Sequence, residues 1–335
     1  MDNILFNSYI IEDRSYVSFI KREIHNLLTA HFSKIRVAEI DIVVSEITSN
    51  LIKHAQRGEL LYRLSIQDEE PVFELICMDN GSGIRDLSHS IKDGVSSKNT
   101  LGQGLGSILR LSNLAQFYSL PDWGTVVYTI FYNNLHHVVP NKKIQSRILN
   151  VSFPGEKVSG DGVGIKEYQD KTLLMIGDGL GHGIPAKEAI DKANACFKAS
   201  TSSDPATILR EIHAGVKYTR GLVATIALID HHTKQWQLCG VGNISAKLQK
   251  GIEYKNYIAN NGVIGMNIPN RLENTNYALE KLQMMIFCSD GIKTRWDIIK
   301  YPGILKYDPM LLAAVLYKDH GRKTDDMTIV IVKVK

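Results

Sequence analysis

The fold is decided by the stretch Leu173-Leu174-Met175-Ile176-Gly177-Asp178-Gly179-Leu180-Gly181-His182-Gly183, in which an apolar run leads into a glycine-rich turn with one aspartate. Such a run, bounded by glycines, is typical of a buried strand that ends in a tight turn. Three other stretches place an aspartate beside small residues or next to an apolar run: Ser159-Gly160-Asp161-Gly162, Ser289-Asp290-Gly291 and Asp325-Asp326-Met327-Thr328. We therefore expect several aspartates at strand ends.

Aspartates at strand ends with small neighbours can converge without steric obstruction. Two carboxylates ~4 Å apart repel each other by about 4 kcal/mol at an effective dielectric constant near 20. A cluster of them therefore needs protons or divalent cations at neutral pH. Ligands that are all oxygen select hard ions such as Mg²⁺ or Mn²⁺. Because two such ions can generate hydroxide and clamp a phosphoryl group, the pattern indicates phosphatase chemistry.

The composition is that of an ordinary globular protein with room for two domains in its 335 residues. A formal net charge of +4, with scattered basic residues, does not favour nucleic-acid binding. No apolar run approaches the ~20 residues of a membrane span, and the N-terminus has no signal-peptide pattern. The four cysteines lack paired or CxxC spacing, as is typical of reduced thiols, so we expect a cytoplasmic protein.

A polar stretch around Pro140-Asn141-Lys142-Lys143 marks a domain boundary, because it follows the strand-like run Val126–Tyr132. We expect a first domain over residues 1–135, a linker over residues 136–147 and a second domain over residues 148–335. Helices and strands that do not strictly alternate favour an α+β fold for the first domain. Many strands with a few long helices favour two stacked sheets with helices outside for the second.

Hydrophobic periodicity predicts the individual elements. For the first domain it predicts helices over residues 13–30 and 35–56 and after Gly104, with strands over 60–67, 72–79 and 124–132. For the second it predicts helices over 184–200, 205–219 and 308–318, with strands over 148–153, 160–167, 171–178, 222–229, 235–241, 245–249, 283–289 and 327–334.

A polar stripe marks the second predicted helix, because Glu46, Asn50 and His54 are spaced four residues apart and share one face. Ile42, Val43 and Ile47 supply an apolar flank, which sets the stripe at the border of the core. A carboxylate beside an amide could serve as a base and a Mg²⁺ ligand. A solvated helix face would explain the same stripe.

Two glycine-rich turns follow. The segment Ile76–Ile84 runs from a strand through Asp79 into a glycine turn, where an aspartate can accept the amine of adenine while glycines let the base approach the backbone. The segment Leu101–Leu109 is a glycine-rich turn that opens a helix, where backbone N–H groups favour phosphate. Either turn alone could be purely structural, and neither matches the dinucleotide-binding fingerprint.

The order of these features, with Gly124-Thr125 before a final strand, resembles the GHKL family of ATP-binding domains over residues 10–133. Within that family it resembles the branch of anti-sigma factors and RsbT-type serine kinases. The resemblance implies an α/β sandwich with helices on one face of a mixed sheet. Residues 85–101 would form the lid over ATP.

The resemblance also implies roles for individual residues of the first domain. Glu46 would be the catalytic glutamate, and Asn50 would bind the Mg²⁺ of ATP. Asp79 would bind adenine, and the kinase would phosphorylate a serine or threonine of a partner protein. The other nucleotide-binding positions implied by the resemblance are Gly81, Gly83, Gly102, Gly104, Gly106 and Thr125.

The four acidic stretches, taken together, resemble the metal-dependent PPM-type Ser/Thr protein phosphatases, in their SpoIIE/RsbX-like branch, over residues 145–335. The resemblance implies an α-β-β-α sandwich that holds two Mn²⁺ or Mg²⁺ ions. Asp178 would bridge both ions and act in catalysis. The other metal-binding positions implied are Asp161, the Gly179 carbonyl, Asp290, Asp325 and, as a weaker candidate beside Asp325, Asp326.

The two resemblances together imply a bifunctional regulator that phosphorylates and dephosphorylates a STAS-type partner protein, in a system with a sigma factor or a stressosome-like complex. Two alternatives stay open. The first domain could be a non-catalytic module that senses ATP or binds a sigma factor, or the phosphatase could act on a small metabolite. His182 is interpreted as a local packing residue, while Arg220 and Arg295 could contact phosphate or form structural ion pairs.

Overall fold

The structure, a computed structural model, describes residues 4–11, 14–54, 58–84, 104–137, 143–168 and 170–335. The chain divides into two compact units. The first comprises residues 1–141 and 306–315, and the second comprises residues 142–305 and 316–335. The predicted domains, residues 1–135 and 148–335, do not place residues 306–315 in the first unit. Within the described residues, no helix is both long enough and apolar enough to cross a membrane.

The first unit is built on a sheet with the strand order β1-β2-β3-β5-β4. Each of its four pairings is antiparallel, whereas a mixed sheet was expected. The elements in chain order are β1 (Leu5–Ile11), α1 (Arg14–Thr29), α2 (Lys34–His54), β2 (Gly58–Gln67), β3 (Glu70–Asp79), α3 (Gly104–Leu111), β4 (Leu114–Leu120) and β5 (Gly124–Tyr132).

Helices α1 and α2 cover one face of this sheet. Ile24 of α1 and Val43 of α2 are fully buried in one apolar cluster with Leu75 of β3. Since alternate residues of a strand point to one face, this cluster forms the core between the helices and the sheet. The helices on one sheet face and the α+β class are therefore confirmed. Ile42, expected to flank the core, is instead 48% exposed.

The second unit contains two sheets, with strand orders β12-β11-β14-β15-β6 and β13-β10-β9-β8-β7. Its strands are β6 (Ile144–Val151), β7 (Asp161–Glu167), β8 (Lys171–Gly179), β9 (Leu222–Asp230), β10 (Gln235–Val241), β11 (Ser245–Lys250), β12 (Glu253–Tyr257), β13 (Thr275–Ala278), β14 (Gln283–Cys288) and β15 (Met327–Val334). The helices of this unit are α4 (Ile184–Ala199) and α5 (Pro205–Gly215). Helix α6 (Pro309–His320) begins among residues 306–315 of the first unit and ends in the second.

Strand β8 lies between two apolar layers. Leu173 and Met175 pack with residues of α4 and α5, while Leu174 and Ile176 pack against residues of the other sheet. The continuous apolar run Leu173–Ile176 therefore reflects a strand that is buried on both faces. The two stacked sheets expected for this region are confirmed.

A stripe of glycines lets α4 lie close to the strands that carry the acidic residues. A Cβ atom at Gly162 would lie 2.2 Å from Cγ2 of Ile190, and one at Gly179 would lie 2.4 Å from the carbonyl oxygen of Ala186. Neither position can hold a side chain unless the helix moves. The glycines beside Asp161 and Asp178 therefore fix the distance between this helix and the ends of β7 and β8.

Four strands were not predicted from the sequence. Strands β12 and β13 are mostly exposed, so their sequences lack the alternation of apolar and polar residues that marks a half-buried strand. Strands β1 and β4 do contain apolar residues, but polar residues interrupt them. Helix α5 ends at Gly215, four residues before its predicted end.

We predict that Gly162→Ala lowers the free energy of unfolding by about 1–3 kcal/mol, because the new methyl group would overlap Ile190 of α4. Gly177→Ala is the matched control, since a Cβ there would lie 3.0 Å from the mobile Cδ1 end of the same Ile190. Urea denaturation without added metal measures both. Equal losses in the two variants would show that close packing at Gly162 is unimportant.

Candidate metal centre and nucleotide site

An acidic cavity lies at the ends of β8, β14 and β15 in the second unit. Asp178 comes from the end of β8, Asp290 follows β14 and Asp325 precedes β15. All three line one cavity, together with Leu180, Gly181, Val223, Gly242, Asn243, Asn261 and Gly262. The structure thus brings three of the sequence-predicted aspartates to one place.

Asp161 lies directly behind this cavity. It pairs with Asp178 in the antiparallel register of β7 and β8, and its side chain is buried. One carboxylate oxygen, Oδ2, accepts a hydrogen bond of 2.7 Å from the hydroxyl of Ser289. The other, Oδ1, is buried without a hydrogen-bond partner among the described residues. An unpartnered buried carboxylate oxygen is costly unless a cation or a proton compensates it.

The aspartates of this site are electrostatically destabilised in their charged form. Burial, followed by repulsion from Asp161, Asp290 and Asp325, raises the pKa of Asp178 well above its usual range. Burial also raises the pKa of Asp161, although the hydrogen bond from Ser289 opposes the shift. The pKa of Asp325 is raised mainly by burial as well. The arrangement therefore favours binding of positive charge.

The donor set fits a hard divalent cation. Its members are carboxylate oxygens, which Mg²⁺ and Mn²⁺ prefer. One of them, Oδ1 of Asp161, is buried without a hydrogen-bond donor among the described residues, so a cation would supply the missing partner. Across the described ranges, no three carboxylate, imidazole or thiol groups already stand close enough to enclose a metal ion.

Gly179 follows Asp178 at the end of β8, where its N–H donates to the carbonyl of Gly160 at 3.0 Å. Because the carbonyl of Ala186 would overlap any side chain at this position, the backbone here must be glycine. The residue therefore leaves the backbone beside Asp178 uncovered by a side chain.

Asp326 has a different place from its neighbour Asp325. Its two carboxylate oxygens accept hydrogen bonds of 2.8 Å each from the N–H groups of Phe153 and Gly160. It is buried and does not line the cavity. The Asp326 carboxylate therefore fixes the turn that leads into Asp161, and its part as the weaker candidate ligand stays a prediction.

His182 is turned toward its neighbours rather than into the acidic cavity. Its ring stacks on Phe153, with centroids 4.5 Å apart, and its Nδ1 lies 3.3 Å from a carboxylate oxygen of Glu156. These contacts agree with the interpretation of His182 as a local packing residue.

Asn243 and Asn261 line the cavity but were missed by the sequence reasoning. The side-chain amide of Asn243 donates a hydrogen bond of 3.0 Å to Asp290. The available signal was Gly242-Asn243 directly after β10, where Gly242 has a φ of 104°, a conformation that favours glycine. This sharp turn presents an amide at a strand end, as the other turns present aspartates, and it could have identified Asn243 as a site residue.

The predicted nucleotide site of the first unit includes Glu46 and Asn50, which lie one helical turn apart and are both half-buried on α2. The carboxylate oxygen Oε2 of Glu46 would lie 2.6 Å from a Cβ atom at Gly104, the first residue of α3. Gly104 therefore lets the N-terminus of α3 approach the Glu46 carboxylate.

Asp79 ends β3 beside the first turn of β5. Its Oδ1 accepts hydrogen bonds from the N–H groups of Gly81 at 2.7 Å and Thr125 at 3.3 Å. Gly83 has a φ of 69°, and a side chain there would overlap the carbonyl of Leu120. The structure therefore brings together Asp79, Gly81, Gly83 and Thr125.

The remaining predicted residues of the nucleotide site are only partly described. Gly106 is buried within α3. Gly102 and the expected lid, residues 85–101, lie outside the described residues. Nothing is described of the His54 side chain, which belongs to the last residue of α2.

Comparison with known families matches each part of the chain separately. Residues 12–130 match the family described as "Histidine kinase-like ATPase domain". Residues 168–297 match the family "Stage II sporulation protein E (SpoIIE)". The chain joins a histidine kinase-like (GHKL) ATPase domain to a SpoIIE-type PPM phosphatase domain. Both family resemblances seen in the sequence are thereby confirmed.

Two relatives from Bacillus subtilis (strain 168) match different parts of the chain. "Phosphoserine phosphatase RsbX" is 27% identical over 107 residues, which is 32% of this chain and 54% of that protein. "Serine/threonine-protein kinase RsbT" is 27% identical over 99 residues, or 30% of this chain and 74% of that protein. The chain thus spans only about half the length of RsbX.

Two solved structures resemble the chain over slightly more than half of its length. A chain of "The bacterial stressosome: a modular system that has been adapted to control secondary messenger signaling" is 26% identical with a TM-score of 0.54, covering 57% of this chain and 100% of that one. RsbX in complex with magnesium is 21% identical with a TM-score of 0.51, covering 59% and 99% respectively. The second likeness shows the fold alone.

We predict that, without metal, the free energy of unfolding of the wild-type protein falls relative to that of Asp178→Asn as the pH rises. The pKa of Asp178 is raised in the folded state, so folding retains a proton that the unfolded chain releases. The resulting stabilisation is present at low pH, and it is lost as pH rises from the unfolded pKa through the folded one. The asparagine variant has no such proton to lose.

Urea denaturation at about pH 5 and about pH 8, with a chelator present, measures this difference. Asp191→Asn is the matched control, because Asp191 lies on α4 and pairs with Lys187 at the surface. A difference between wild type and Asp178→Asn that stays constant with pH would contradict the electrostatic description of the cavity.

Proposed function

We propose that the second unit is a metal-dependent phosphatase that removes phosphate from a serine or threonine of a protein. The observation that carries the proposal is the convergence of Asp178, Asp290 and Asp325 on one cavity, with the unpartnered carboxylate oxygen of Asp161 behind it. The SpoIIE family match supports the same reaction class.

Divalent cations, when bound, would supply Lewis-acid activation and the hydrolytic nucleophile. Asp178, Asp290 and Asp325 would hold them, with Asp161 and the Gly179 carbonyl completing the set. Ser289 fixes one oxygen of Asp161, and Asn243 fixes one oxygen of Asp290, so that the carboxylates keep their orientation. The Asp326 carboxylate holds the preceding turn in place through two backbone N–H groups.

The first unit, in the same proposal, binds ATP with Mg²⁺ and phosphorylates a serine or threonine of a partner. Asp79 would accept the amine of adenine, and the N-terminus of α3 would receive phosphate. Asn50 would hold the Mg²⁺ of ATP, while Glu46 would orient or deprotonate the acceptor hydroxyl. Support comes from the position of Glu46 against Gly104 at that helix terminus.

The partner in this proposal is a STAS-type protein of a stressosome-like or sigma-factor-regulating system. Support comes from the relatives of the two parts, which are named as a phosphoserine phosphatase and a serine/threonine-protein kinase, and from the likeness to a stressosome chain. Opposing activities in one chain would set the phosphorylation level of one partner or of two related ones.

We predict that Asp178→Asn lowers hydrolysis of a phosphoserine STAS protein at least a hundredfold in the presence of Mn²⁺, because it removes a carboxylate that interacts with Asp161, Asp290 and Asp325 and would hold the cations. Asp191→Asn, on the exposed face of α4, should keep wild-type activity. Mass spectrometry of the phosphoprotein follows the reaction. A wild-type protein that leaves every phosphorylated STAS candidate intact would refute the phosphatase proposal.

We predict that Glu46→Gln abolishes phosphate transfer from ATP to a STAS protein while ATP binding changes less than about threefold. The reason is that Glu46 is assigned to the acceptor hydroxyl rather than to the nucleotide. Asp41→Asn is the control on the same helix, since Asp41 pairs with His25 at the surface. Binding of ATP without transfer by the wild-type protein would favour a non-catalytic ATP-binding module instead.

A further inference from the structure

Arg220 borders the acidic cavity on the side of the Leu180-Gly181 turn. A Cβ atom at Gly181 would have one heavy atom within 4 Å, the guanidinium nitrogen Nη1 of Arg220 at 3.1 Å. Leu180 and Gly181 both line the cavity. The guanidinium therefore lies beside a turn that forms part of the cavity wall, and the absence of a side chain at Gly181 gives it that space.

The backbone holds Arg220 in this place from both sides. The carbonyl of Gly221 accepts a hydrogen bond of 3.1 Å from the N–H of Leu180, which ties the two turns together. The N–H of Gly221 donates to the hydroxyl of Thr219, and that hydroxyl donates to the carbonyl of Val216. The turn that carries Arg220 is thus fixed to the cavity wall.

The guanidinium of Arg220 is accessible to a ligand. Arg220 is exposed, and it makes no ion pair or hydrogen bond within the part of the chain that the structure describes. None of the residues lining the cavity is basic, although three of them are aspartates. Once cations occupy the carboxylates, Arg220 is a basic side chain placed to meet an anion that enters along this wall.

We propose that Arg220 binds the phosphate group of the phosphorylated serine or threonine as it enters the cavity. This inference rests on the proposed phosphatase function and adds the residue that recognises the substrate. A guanidinium suits the task because its planar fork of N–H donors matches the oxygens of a phosphate.

The surface beside Arg220 fits the polypeptide around such a phosphorylated residue. Tyr218, two residues before Arg220, is 97% exposed, and Met266 is 60% exposed. The Cγ atom of Met266 would lie 3.5 Å from a Cβ at Gly221, next to Arg220. An aromatic ring and a thioether beside a phosphate-binding arginine can contact residues that flank the phosphorylated position, whereas a small phosphoester would leave them untouched.

The first test is binding of inorganic phosphate, by calorimetry, to the full chain in Mg²⁺. We expect Arg220→Ala to raise the Kd about tenfold, as loss of a charge-assisted hydrogen bond does, and Arg220→Lys to raise it less. Arg271→Ala is the matched control, because Arg271 is an exposed arginine paired with Glu273. A wild-type Kd in Arg220→Ala would overturn the proposal, and would show a purely structural contact with Gly181.

The second test compares kinetics on a phosphoserine peptide and on an aryl phosphate. Arg220→Ala should raise KM for both substrates about tenfold with kcat changed less than threefold. Tyr218→Ala should raise KM for the peptide more than for the aryl phosphate, with Tyr168→Ala, an exposed tyrosine after the far end of β7, as control. Equal changes for the two substrates would overturn the role of Tyr218.

The outcomes separate this inference from the function on which it rests. Phosphate binding that depends on Arg220, in a protein that hydrolyses no phosphoester, would support Arg220 as an anion site and refute the phosphatase. Hydrolysis with unchanged KM and phosphate affinity in Arg220→Ala would leave the phosphatase standing and refute the role of Arg220.

Discussion

Repulsion between carboxylates that the fold forces together is the constraint on which the second unit depends. Antiparallel pairing sets Asp161 opposite Asp178, and the ends of two further strands bring Asp290 and Asp325 to the same cavity. The sheets hold the backbones, so the side chains cannot separate far enough to relieve the repulsion. The repulsion between the carboxylates is relieved only when protons or cations bind. The stability of the site therefore depends on the occupancy of its cations.

In each unit, a glycine lets a helix lie close to an acidic residue. Gly104 lets a helix terminus approach the Glu46 carboxylate, and Gly179 lets a helix approach the strand end that carries Asp178. In both places, a side chain would push a helix away from the acidic group. Glycine here therefore controls how closely a helix approaches the reactive group, in addition to allowing a tight turn.

Much of the fold and of the acidic site could be predicted, because strand ends carry their residues to shared sheet edges. Asp178 and Asp290 follow buried apolar runs, which are the strongest sequence signal of all. The placement of Asn243 depends on how a loop after β10 folds back, which periodicity does not encode. The sequence also could not distinguish the environments of Asp325 and Asp326. They differ in the structure because Asp326 is buried and accepts hydrogen bonds from two backbone N–H groups.

X-ray diffraction from crystals soaked in Mn²⁺, with anomalous data collected near the manganese edge, tests the central claim most directly. We expect anomalous density in the cavity, within coordinating distance of the carboxylates of Asp178, Asp290 and Asp325. A fully soaked crystal with an open cavity and no manganese between these aspartates would contradict it.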